Sequence, residues 1–328
     1  MSHTDMSTPF APPIRLGLLL IPGFALMGYA TLVEAFRAAN TLSGRTLYTW
    51  SHVSAQGAAV EASCGARILA DAQVGARIDC ATLFVFAGGD PRNFHDPATY
   101  GWLRALARGG CAIAGISGGP YVMARAGLLA GRRATIHWEH RPLLAEHFPD
   151  VAIESGLYVI DGAVITCAGG TAGLDLALAL IARDHGHALA ARVGEWFIRT
   201  TPRDAAGPQR QSPAERHGTT NRVVLQALAT IEAGLDRPLP RTQIAAACGR
   251  SLRQIERLFQ AELGQSLAQT MLTLRLDSAA HRLRTTDASV TQIALDCGFA
   301  SAAHFSRRVR QRFGVPPSGL RKAVGQAV

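Results

Sequence analysis

Residues 111–129 read CAIAGISGGPYVMARAGLL, and the fold turns on how this stretch divides. Cys111 to Ser117 is a short, nearly continuous apolar run, as expected of a strand buried on both faces of a parallel sheet. Gly119 to Leu129 then places apolar residues at helical spacing. Between them, Gly115-Ile116-Ser117-Gly118-Gly119 fits G-x-S-x-G, the sharp strand-to-helix turn that presents a serine nucleophile. A serine hydrolase is therefore one function to weigh.

The alternation continues outward. Upstream, IRLGLLLIP (14–22), LYTWSHVSA (47–55) and TLFVFAGG (82–89) read as strands, and ALMGYATLVEAFRAAN (25–40) and ATYGWLRALARGG (98–110) as helices. Downstream, RATIHW (133–138) reads as strand, VAIESGLYVIDGAVITCAG (151–169) as two strands around Asp161-Gly162, and TAGLDLALALIARDHG (171–186) as helix. Such alternation predicts a doubly wound, mainly parallel, flavodoxin-like α/β domain over residues 14–199. Residues 1–13 read as a disordered leader. TTPRDAAGPQRQSPAERHG (200–218), with three prolines and no apolar period, places a linker over 200–220. From 221 to 322 every apolar pattern is helical, so an all-α domain follows.

The chain has 328 residues, 48% of them hydrophobic, enough for two cores. Residues 221–328 hold 15 Arg and Lys against 7 Asp and Glu, a net +8 of the whole chain's +9. A polyanion is a plausible partner of that part alone. Six cysteines at 64, 80, 111, 167, 248 and 297 form no C-x-x-C, which indicates neither a metal site nor a disulfide framework. Cys111 and Cys167 read as core residues beside strands. The apolar run near the N-terminus is broken by Pro22 and Gly23, too short for a membrane span. A soluble, cytoplasmic protein with no cofactor is expected.

Residues 242–251 (TQIAAACGRS) and 291–301 (TQIALDCGFAS) are copies of one unit, offset by 49 residues and then, after one insertion, by 50. Each predicts a short helix, a glycine turn (Gly249, Gly298) and a second helix capped by Ser251 or Ser301, the helix-turn-helix arrangement. With Ile255, Leu258 and Phe259 inward, the first second helix presents Arg253, Gln254, Glu256 and Arg257. With Phe305 and Val309 inward, its repeat presents Ala302, Ala303, His304, Arg307 and Arg308. Arginine reads guanine edges or phosphates, and glutamate accepts from cytosine. Arg253, Glu256, Arg257, Ala302, Ala303, His304 and Arg307 are the candidate contacts to double-stranded promoter DNA.

The run IALDCGFASAAHFSRRVRQRFGVPPSGLR (293–321) resembles the signature of AraC/XylS-family DNA-binding domains: Gly-Phe after the turn, Phe-Ser-Arg on the recognition helix, and the Phe-Gly-x-x-Pro exit. That resemblance implies two recognition helices in successive major-groove segments, joined by a long helix over LAQTMLTLRLDSAAHRLR (267–284). The α/β domain is similar to the PfpI-like, class I glutamine amidotransferase-like superfamily, and the fusion resembles the GlxA-type transcriptional regulators. ARAGLLAGRRATIHWEH (124–140) is close to how that group reads after its elbow.

The resemblance implies a cysteine nucleophile where this chain has Ser117, a histidine matched by His137, a loop of N–H donors matched by Gly88-Gly89, and a glutamate near position 28, which here is Gly28. A hydroxyl needs a strong neighbouring base, and no orienting acid is apparent: Glu34 lies too far along its helix and Asp175 lies mid-helix. Gly88, Gly89, Asp90, Ser117, Gly118 and His137, with Trp138 as a wall, are therefore expected to bind a small effector (an amino acid, amine or small carboxylate) without catalysis. His137 and Trp138 could equally pack beneath the elbow. The alternative is a serine hydrolase or amidase tethered to DNA; a deglycase-like reading would need a cysteine at the elbow. A homodimer that activates transcription with RNA polymerase completes the expectation.

Overall fold

The computed structural model describes residues 11–235, 237–285 and 288–325. Most of the expected leader, residues 1–10, lies outside these. The chain divides into two units between Gln209 and Arg210.

The first unit contains β1 (Ile14–Leu20), α1 (Leu26–Ser43), β2 (Tyr48–Ser54), β3 (Ala59–Glu61), β4 (Arg67–Leu69), β5 (Ala72–Gln73), β6 (Thr82–Ala87), α2 (Pro97–Arg108), β7 (Ala112–Ser117) and α3 (Gly119–Arg125). β8 (Arg133–Ala134), α4 (Arg141–His147), β9 (Ala152–Ile153), β10 (Tyr158–Asp161), β11 (Val164–Cys167), α5 (Ala172–His185) and α6 (His187–Trp196) follow. Seven strands form the main sheet in the order β10-β11-β7-β6-β1-β2-β5, parallel except for β10. Alternate side chains sort the two cores. Leu18, Leu20, Phe84 and Phe86 face α1 and α5, whereas Leu19, Val85 and Ala87 face α2 and α3. The short β3–β4 pair and β5 escape the sequence reading because no run in residues 59–73 is long enough to show a period.

Chain order reverses between β1 and β6, so the loops after these strands open a crevice at their C-terminal ends. The loops approach closely there: a Cβ on Gly88 would lie 2.6 Å from the Gly23 carbonyl oxygen.

The stretch expected to be a linker is not free chain. Within the first unit, Leu157 N–H donates to the Ala205 carbonyl (2.7 Å), Gln209 Nε2 donates to the Ile136 and Gly156 carbonyls (3.0 and 2.8 Å), and Arg203 pairs with Asp175 (2.6 Å). Within the second unit, residues 213–217 form α7 (Pro213–His217), started by a Ser212–Glu215 capping box. Its polar composition looks like linker because partnership between distant polar groups leaves no periodic trace.

The second unit continues as α8 (Arg222–Ala233), α9 (Arg241–Ala247), α10 (Leu252–Leu263), α11 (Leu267–Thr285), α12 (Val290–Asp296), α13 (Ala302–Phe313) and α14 (Pro317–Gly325). Two cores form, one per repeat. Ile244, Ala245, Ile255 and Phe259 centre the first; Ile293, Ala294, Phe305 and Val309 centre the second. Helix α11 serves both, giving Leu267, Met271 and Leu274 to the first and Leu276, Ala279 and Leu283 to the second. Among the described residues no helix is long and apolar enough to cross a membrane.

Candidate functional site

The elbow is built where β7 ends. Ser117 has φ +62°, a left-handed conformation rare for a residue with a side chain, and is 8% exposed. Its surroundings leave little slack: a Cβ on Gly169 (φ +80°) would sit 2.6 Å from the Ser117 Cβ. Ser117 pairs in register with Ala87, so Gly88-Gly89 lies directly beside it, and His137 N–H approaches the Ser117 carbonyl oxygen at 3.4 Å. The sequence-nominated Gly88, Gly89, Ser117 and His137 thus come together.

Gly28 lies on α1 where a Cβ would meet Ile116, Gly169 and Gly170 at 3.4–3.7 Å, contacts a side chain tolerates. The position faces the strand bearing Ser117, and it carries no carboxylate. Thr31 Oγ1 donates to the Gly170 carbonyl (2.8 Å), fixing α1 against this turn.

Two nominated groups are already engaged. Asp90 accepts the Arg92 backbone N–H (3.0 Å) and pairs with the Arg92 guanidinium (2.6 Å), its side chain only 7% exposed. Burial pushes its pKa up, but the Arg92 hydrogen bonds and charge outweigh that and hold it below the usual carboxylate range. Asp90 shapes the loop and caps its single turn at residues 91–93. Gly118 N–H donates to the Ala87 carbonyl (3.0 Å) and Pro120 has no N–H, so the turn offers fewer donors than its sequence suggests.

One carboxylate escaped the sequence reading. Glu139 Oε2 lies 3.6 Å from His137 Nδ1, both side chains being about a quarter exposed. The His-x-Glu spacing at 137–139 was the available signal. His137 also stacks obliquely on Trp138, centroids 5.4 Å apart. Asp175 is structural: buried, it holds Arg199 (2.9 Å) and Arg203 (2.6 Å). Cys167 is fully enclosed and burial pushes its thiol up to about 12, so it stays protonated.

In the second unit the two motifs match feature by feature. Ser251 accepts the Gln254 N–H (3.3 Å) and Ser301 the His304 N–H (3.2 Å). Gly249 and Gly298 turn at φ +63° and +71°. Arg257 and Arg307, equivalent in the repeat, are both exposed, as are Arg253 and Ala303; Ala302 is partly covered. Asn221, Val223, Arg250, Gln254, Arg257 and Leu258 line an open cleft of about 250 Å³ beside α10.

Glu256 is the exception. It pairs with Arg241 (2.9 Å) and its other oxygen accepts the Leu267 N–H (3.1 Å), capping α11 instead of facing outward. His304 is half-covered, its ring 6.0 Å from that of Phe299 and its Nε2 3.3 Å from Arg308 Nε. Helical spacing alone cannot show that an outward position is claimed by the next element.

An α/β unit with an altered nucleophile elbow, joined to a duplicated helix-turn-helix, defines a class. Residues 15–183 match the DJ-1/PfpI family and residues 244–323 a helix-turn-helix domain. The chain belongs to the HTH-type transcriptional regulators that join these two domains. It is similar to the regulator GlxA of Rhizobium meliloti, 41% identical over 313 residues (95% of this chain, 96% of that protein). To CdhR of Pseudomonas aeruginosa it is 42% identical over 300 residues (92% and 89%). A solved AraC family transcriptional regulator from Pseudomonas putida, 24% identical, covers 56% of this chain and 100% of its own with a TM-score of 0.52; it shares the fold.

Proposed function

We propose that this regulator's α/β unit is a sensor that holds a small polar effector (an amino acid, amine or small carboxylate) at Ser117, Gly88-Gly89 and His137 without turning it over. The carrying observation is Gly28. The elbow keeps its strained geometry at Ser117, yet the position that faces it from α1 has no acid. Geometry kept without its chemistry suits binding.

Arg253, Arg257, Ala302, Ala303 and Arg307 meet promoter DNA, with His304 at the margin, and Glu256 sets the angle between α10 and α11. The protein works as a cytoplasmic homodimer needing no cofactor, and effector shifts the population toward the arrangement that matches its half-sites and engages RNA polymerase. A gel shift on DNA upstream of its own gene, with and without each effector class, tests this together with thermal unfolding of the full chain, which a ligand of the native state raises. An unchanged melt and unchanged binding across all three classes would sink the sensing half.

Glu139 beside His137 favours a second reading, a Ser117–His137–Glu139 hydrolase. An ester and amide panel separates the two: turnover that Ser117→Ala abolishes would replace the sensor with an enzyme.

A further inference from the structure

Two thiols that play no part in sensing or DNA binding meet at the opposite end of the sheet from the elbow. Cys80 leads into β6 and Cys111 into β7, neighbouring parallel strands that begin in register at Thr82 and Ala112. Ala112 N–H donates to the Ala81 carbonyl (3.0 Å), so the two segments enter the sheet side by side. The Sγ atoms are 3.4 Å apart, about 1.4 Å from bonding distance. The register sets Ala81 opposite Cys111, so Cys80 lies one step diagonal to it, about 6 Å away by strand spacing and rise, within the Cα separation a disulfide spans.

The pair is asymmetric in access and acidity. Cys80 is partly exposed and Cys111 buried. The thiol contact with Cys111 lowers the Cys80 pKa against burial and the Asp79 charge, helped by the Gly17 N–H and the Arg15 charge. The same contact, with burial, pushes Cys111 up. The accessible sulfur therefore has the greater thiolate character, and the enclosed one keeps its proton.

We propose that Cys80 and Cys111 are a reversible dithiol–disulfide site, oxidised by hydrogen peroxide with Cys80 attacking and Cys111 resolving. The Cys80 sulfur attacks one peroxide oxygen and the O–O bond breaks. The departing hydroxide takes up the proton Cys80 has lost, giving water and a Cys80 sulfenic acid. The Cys111 sulfur then bonds to the Cys80 sulfur, gives up its proton, and expels the hydroxyl as a second water. Two thiols become one disulfide and one peroxide becomes two waters. A dithiol reductant reverses the step by exchange. The new bond ties the bases of the two strands whose other ends carry Gly88 and Ser117.

Full-length protein is exposed to hydrogen peroxide, alkylated, digested and read by mass spectrometry. The expected result is a peptide linking Cys80 to Cys111, lost on treatment with dithiothreitol, while exposed Cys64 remains alkylated. Cys80→Ser and Cys111→Ser each remove the linked peptide and Cys64→Ser does not, with thermal melts confirming that the variants fold. Unchanged alkylation of Cys80 in the wild-type protein overturns the proposal. So does Cys80 passing to sulfinic acid with Cys111 still a thiol, because the second sulfur would then resolve nothing.

Discussion

Ser117 is held at φ +62°, a conformation that costs a residue with a side chain on the order of 1–3 kcal/mol. Glycine adopts it freely but gives back part of the gain through its looser unfolded chain. Ser117→Gly is therefore expected to raise the unfolding free energy in urea by about 1 kcal/mol while abolishing any effector-induced rise in melting temperature. Asp175 is the opposite case. Removing this buried carboxylate strands Arg199 and Arg203 beside the core, so Asp175→Ala should cost about 3 kcal/mol in the same denaturation. Both residues stood out in the sequence, but for different reasons. Ser117 announces itself through the glycines around it, whereas the guanidiniums that define Asp175 come from residues 24 and 28 positions further on, at the end of the α/β domain and in the stretch that reads as linker. Glu256 shows the same limit, since Arg241 and the Leu267 N–H reach it only on folding, whereas Glu139 stands two residues from His137 and was legible in the spacing.

At the level of elements, the strands were readable because β1, β6 and β7 are apolar on both faces, and the recognition helices because a repeat exposes itself by self-comparison. The fragments β3, β4 and β5 carry two or three residues each and offered nothing to count. The repeat also sets up matched tests. Ser251→Ala and Ser301→Ala each remove an N-cap, and each is expected to cost about 1 kcal/mol of stability by urea titration. Arg257→Ala and Arg307→Ala leave the cores untouched; each should weaken promoter binding by about 1–3 kcal/mol in a gel shift, with little change in the melt. If both bind as wild type, α10 and α13 are not the reading surfaces.

For the whole molecule, charge governs two responses. The +8 of residues 221–328 makes DNA affinity a counterion-release process, so the logarithm of the binding constant should fall linearly with the logarithm of salt concentration. Acid acts on the fold. Burial raises Asp90 and Glu232, but Arg92 for the first, and Arg216 with His217 for the second, bring both below their ordinary values. Groups lowered on folding contribute stability that is complete above the unfolded pKa and lost as pH falls through the folded one. The urea midpoint should hold from pH 7 to about pH 5 and drop below about pH 4. Helix α11, which both repeat cores share, adds a constraint of another kind. An inserted residue near its middle would rotate one motif by about 100° about the helix axis relative to the other and advance it by about 1.5 Å. Its exposed positions can drift while its length cannot: such a change would spare each motif's fold and throw the two out of phase along the double helix.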